Sequence, residues 1–123
     1  MNVTLEHLLS ADESILAVCL MDPDFNIVEA ASRPTIGKFD IPDKVQKSAG
    51  AFAAMMVGVA GLVEGAFGET RSIVVEHTGA KTLLLRLPGN WFAGMVLARS
   101  ANADYIAARV GSALEKQGIE EYA

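Results

Sequence analysis

The sequence predicts a single α+β domain over residues 1–123, a five-stranded sheet with helices on both faces. Three observations carry that prediction. Short unbroken apolar runs such as Ile15 to Met21 have the length and content of buried strands, whereas the apolar spacing from Asp43 onward is helical. Clusters of turn formers at Asp22 to Asn26, Thr78 to Ala80 and Pro88 to Asn90 separate the runs at hairpin distance. The resulting order is helix, two strands, long helix, three strands, helix.

Each element has its own local reason. Thr4 is placed to cap a short first helix over Leu5 to Leu9. ILAVCLM, residues 15 to 21, reads as the first strand, and Ile27 to Ala31 returns beside it as a hairpin. Pro34, Gly37 and Pro42 mark residues 32–42 as a connecting loop. A helix then runs from Asp43 to about Gly65 and ends at glycines free to adopt positive φ. Arg71 to His77, Lys81 to Leu87 and Trp91 to Ala98 form an antiparallel meander. Asn102 caps a last helix from Ala103 to about Gln117, with Asp104 in its first turn and an apolar stripe of Ile106, Val110, Ala113 and Leu114. ILAVCLM and TLLLRL barely alternate, as expected for strands covered on both sides.

The long helix carries the most information. Val45, Ala49, Phe52, Met56, Val59, Val63 and Ala66 fall on one side and predict a core-facing stripe. On another side Gly50, Ala54, Gly58, Gly61 and Gly65 recur within roughly 80° of arc. A glycine inside a helix costs about 1 kcal/mol relative to alanine. Small residues let a second backbone approach closely, and packing over that contact offsets the loss. The stripe therefore predicts a second polypeptide surface against this helix.

Composition excludes several function classes. The chain is 51% hydrophobic, so it folds rather than remaining disordered. A formal charge of -5 gives no long-range attraction to phosphate backbones, and nucleic acid is not an expected partner. The lone Cys19 cannot form an internal disulfide, and Met1 to Thr4 bears no basic segment of a signal peptide, which together predict a cytoplasmic protein. Ser48 to Val63 has no formal charge, but falls short of the roughly 20 residues a bilayer needs.

No motif calls for chemistry. His7, His77 and Cys19 lack ligand spacing, so no metal is expected. Cys19, between Val18 and Leu20, reads as a buried thiol of raised pKa. No serine sits in a G-x-S-x-G setting. The glycines from Gly58 to Gly68 lack the Gly-Lys-Ser/Thr end of a phosphate loop and belong to a helix and its C-terminus, so no cofactor is expected. Asp22, Asp24, Asp40 and Asp43 read as turn and cap residues, and Trp91 and Phe92 as packing or an interface edge. Arg71, Arg86 and Arg99 are scattered through the sheet region and read as solvated, or as a small binding patch. The expectation is of no catalytic residue.

With the helix FAAMMVGVAGLVEGAFGE and the segment RSIVVEHTGAKTLLLRLPGNWFAGMVLARSANADYIAARVGSALEK, the chain resembles a Roadblock/LC7 domain over nearly its full length. The resemblance implies a five-stranded antiparallel sheet with the long helix on one face and the terminal helices on the other. It also implies a homodimer, in which Arg71 to His77 pairs with its copy, through Arg71, Ile73, Val75 and His77, and the helices meet through Gly50, Ala54, Gly58 and Gly61. Self-pairing would protect the SIVVE edge from aggregation. The family's role implies a non-catalytic scaffold or regulator of a small Ras-like GTPase, with Arg33 and Lys38 as candidate contacts. Two other readings are a profilin-like or PAS-like small-molecule sensor and a structural subunit assembling with other Roadblock-type chains.

Overall fold

In the computed structural model, which describes residues 4–33 and 43–116, five antiparallel strands form one sheet in the order β2-β1-β5-β4-β3. The elements are α1 (Leu5–Ser10), β1 (Ile15–Met21), β2 (Ile27–Ser32), α2 (Asp43–Gly61), α3 (Glu64–Phe67), β3 (Ser72–Glu76), β4 (Ala80–Leu87), β5 (Trp91–Ala98) and α4 (Ala103–Lys116), with a 3-10 turn at Pro88–Asn90. The predicted order and antiparallel pairing hold. One difference is a break in the long helix, where Leu62 and Val63 turn the chain and α3 follows as a separate piece.

Local chemistry explains the ends. Asp22 closes the β1–β2 turn, its carboxylate accepting the amides of Asp24 and Asn26. Asn102 caps α4 by accepting the Tyr105 amide. At α1 the expected Thr4 cap is replaced by a backbone one. The Thr4 carbonyl receives the His7 and Leu8 amides, and no side-chain cap forms.

The sheet has two unequal faces. On one, α1 and α4 pack Leu5, Leu8, Ile106, Val110 and Leu114 against Val18, Leu20, Leu83, Leu85, Met95 and Leu97 to form the main core. Burying a leucine or isoleucine side chain contributes about 1.5–3 kcal/mol, so this layer dominates stability. Ile15 and Val18 both join it because the β1–β5 register shifts between Ile15 and Ala17. That irregularity, together with helices on both faces, is why ILAVCLM does not alternate.

The second face is sparser. Met21, Ala53 and Phe92 are buried there, with Cys19, Phe25, Val57 and Leu84 packed around them. The Phe25 and Phe92 rings stack at 5.3 Å. This small cluster seats α2.

Candidate functional site

Among the described residues, the face around α2 is where the fold leaves apolar surface without cover. Ala53 is the one fully buried residue of the described α2 side chains, and Ala49, Met56, Val57 and Ala60 beside it are half-buried. On a helix turning 100° per residue these lie about one line. The sequence-predicted stripe is centred roughly 70° to one side of that line, and the glycine stripe roughly 115° to the other. Phe52, Val59, Val63 and Ala66 are therefore exposed rather than core-facing, while the Val45 side chain lies outside the described residues. Val59 is 67% exposed, Met55 70% and Leu62 84%, far more than an ordinary core helix leaves open.

Beside this flank a groove of about 770 Å³ opens between α2 and the sheet. Its floor is made of small or short side chains, Ala17, Cys19, Thr82 and Gly94 among them, and its rim includes Phe52, Met56, Ile73 and Val75. Burial raises the pKa of the Cys19 thiol, in line with an inert, packed cysteine. A sensor would place convergent polar groups in such a space, and this lining is predominantly apolar. Among the described residues no cluster of His, Cys, Asp or Glu is placed to hold a metal ion, and no helix is long and apolar enough to cross a membrane.

The sheet edge beside the groove is β3. It pairs with β4 alone within the sheet. The Arg86 amide donates to the Arg71 carbonyl, and the His77 amide to the Ala80 carbonyl. Antiparallel geometry alternates the direction of these groups, so Ile73 and Val75 also face β4, and Ser72, Val74 and Glu76 present their backbone groups at the edge. Ile73, Val75 and His77 line the groove with their side chains. Arg71 and His77 flank the strand rather than lie in it.

The small residues divide. Gly50 is held close to its own chain, because a Cβ there would meet the Phe25 carbonyl oxygen. Ala54, Gly58 and Gly61 are exposed, and a Cβ at Gly58 or Gly61 would meet nothing within 4 Å. Arg33 is a structural residue. Its guanidinium donates to the carbonyls of Leu9, Asp12 and Ile15, tying the end of α1 to the β1–β2 hairpin. Lys38 and Asp40 lie outside the described residues, as do Gln117 and the chain beyond it.

Sequence reasoning missed the polar group at the far end of α2. Arg86 projects on the α2 side of the sheet, 5.3 Å above the Phe92 ring centroid. It donates to the Thr70 carbonyl and the Asn90 side chain, and it lies 3.6 Å from Glu64 and 3.4 Å from Glu69. The Thr70 amide and hydroxyl hold the Glu64 carboxyl below the usual carboxylate range, and Arg86 lowers it further. Nothing in the local sequence signals this, since Arg86 and Glu64 are 22 positions apart.

These shifts have a sign. Glu64, Asp12 and Asp22 all titrate below their ordinary values because hydrogen bonds favour their charged forms. Each contributes stability that is present above its unfolded-state pKa and is lost as pH falls through the folded-state value. Thermal midpoints are therefore expected to fall below about pH 4.5, and Glu64→Gln to flatten part of that fall. An unchanged acid profile in the variant would show that Glu64 is not held as described.

No protein-family model matches the sequence, and no curated protein matches it. Solved structures do match the fold. A Roadblock/LC7 domain from Streptomyces avermitilis superposes with a TM-score of 0.70 at 13% identity, covering 96% of this chain and 94% of that one. MglB from Myxococcus xanthus gives 0.66 at 15% identity, with 94% and 90% covered. The gliding protein MglB from Thermus thermophilus gives 0.63 at 14% identity, with 95% and 88% covered. The chain has the Roadblock/LC7 fold over nearly its whole length.

Proposed function

We propose that this chain is a non-catalytic, cytoplasmic scaffold that acts as a homodimer and regulates a small Ras-like GTPase. The observation that carries the reading is the uncovered apolar surface of α2 beside an open β3 edge. A helix stretch that is apolar or small on every side, as α2 is from Ala49 onward, belongs in an interior, and among the described residues it has sheet on one side only. A second copy supplies the missing cover. Its β3 pairs at Ser72, Val74 and Glu76, extending the sheet and removing the exposed edge. Its α2 lies against this one, where Phe52, Met55 and Val59 provide apolar area and Ala54, Gly58 and Gly61 allow close backbone approach. Ile73, Val75 and His77 lie beneath that contact, while Gly50 serves the chain's own packing.

The GTPase reading rests on the shared fold, since the resemblance implies adaptors and regulators of such GTPases. The test is affinity capture from the source cells with GDP or a non-hydrolysable GTP analogue present. A Ras-like GTPase enriched in one nucleotide state is the expected result, and recovery of other Roadblock-type chains without any GTPase would overturn it in favour of a structural subunit.

A further inference from the structure

Among the described residues, a row of side chains centred on Phe92 ties α2 to the sheet. Phe25, at the β1–β2 turn, stacks on Phe92 of β5, and Arg86 of β4 lies over the other side of that row at 5.3 Å from the Phe92 centroid. The first half of α2 rests on the aromatic part. Gly50 abuts the Phe25 backbone, and Ala53 and Val57 pack with Phe92, Met21 and Leu84. Past Val57 the helix continues to the break at Leu62 and Val63, where Glu64 meets Arg86 and accepts the Thr70 amide at 2.8 Å. Phe52 and Met56 line the groove beside the seated half, and Val59 and Leu62 stand exposed beyond it.

We infer that Arg86 is the positioning residue of the interface helix: through Glu64 and Thr70 it fixes the angle at which the exposed face of α2 is offered to a second chain. The apolar seat supports α2 only from Gly50 to Val57, so the set of its far end depends on what holds the chain beyond that point. A guanidinium suits that task, since its donors are fixed in a plane and here reach the Thr70 carbonyl and the Asn90 side chain, with Glu64 and Glu69 as ion-pair partners at 3.6 and 3.4 Å. The Arg86 side chain is only 17% exposed, while its acidic partners Glu64 and Glu69 stand 32% and 66% exposed. The same residue links the latch to the aromatic seat through the Phe92 ring, which makes the two supports one unit. The inference rests on α2 being an interface, as proposed above.

The test is a cycle of Arg86→Met, Glu64→Gln and the double variant, read by dimer affinity in sedimentation equilibrium and by amide exchange. Arg86→Met is expected to raise the dimer Kd about tenfold, the scale of one charge-assisted hydrogen bond. The double variant is expected to be no worse than Arg86→Met alone, because the two residues act through one contact. Amides 64–70 should exchange faster in Arg86→Met while those of β4 and β5 keep their protection. Unchanged affinity, additive effects, or protection lost equally in β4 and β5 would each overturn the assignment. If Arg86→Met does not fold, Arg86→Lys keeps the charge without the planar fork, and an affinity equal to wild type would contradict it. If the wild-type chain is itself monomeric, the dimer reading fails, and the latch is then judged by exchange at 64–70 alone, where no acceleration overturns it.

Discussion

Alanine at position 50 is expected to destabilise the protein by about 1–3 kcal/mol, as overpacking at a tight contact does. The new Cβ would run into the Phe25 carbonyl oxygen, a backbone atom that cannot rotate away. Either α2 lifts from its seat or the β1–β2 turn shifts, and both disturb the stacked Phe25 and Phe92 rings. Helix propensity acts in the opposite direction by about 1 kcal/mol, so the net loss measures how firmly α2 is seated. Position 58 is the control. A Cβ there meets nothing within 4 Å among the described residues, so at dilutions where the chain is monomeric Gly58→Ala should gain up to about 1 kcal/mol. Denaturant titrations of both variants check the pair. A Gly50→Ala variant as stable as wild type would show that α2 does not rest on Phe25.

The second large effect is expected from Val59→Asp. Val59 is 67% exposed within one chain, so an aspartate there should leave monomer stability within about 0.5 kcal/mol. In a dimer the same carboxylate would be buried without a partner among Phe52, Met55 and their copies. Buried interface positions of this kind carry most of the binding energy, and the dimer is expected to weaken at least about a hundredfold. Sedimentation of the variant across a concentration series reads this. Unchanged affinity would place the contact elsewhere on the surface.

The fold was largely legible because its strands and turns are written locally. Asp22 and Asn102 do what turn and cap residues do, and the β3–β4–β5 meander follows from its short connections. The orientation of α2 was not legible, and the reason is physical. Periodicity locates an apolar stripe only when another side is polar, and from Ala49 to Val63 this helix has no polar side chain at all. The sheet side turned out to run along Ala49, Ala53, Met56, Val57 and Ala60, with Phe25, Met21 and Phe92 meeting Ala53, a match of sizes that one segment cannot reveal. Long-range polar ties escaped for a similar reason. Arg33 reaches back to carbonyls of α1 and β1, and Arg86 spans from β4 to α3 and the Asn90 turn, none of which is marked by spacing. The small residues of α2 are the sequence signal behind the proposed contact with a second chain. What they could not show is that Gly50, near the start of α2, abuts the Phe25 backbone, while Gly58 and Gly61 further along meet none of the described residues.

The central claim is that a second copy of this chain covers α2 and the β3 edge. The mass of the wild-type protein in solution tests it most directly, by light scattering coupled to size exclusion at micromolar concentration. The account predicts a species of twice 13.0 kDa that persists on dilution through that range. A stable particle of 13.0 kDa would contradict it.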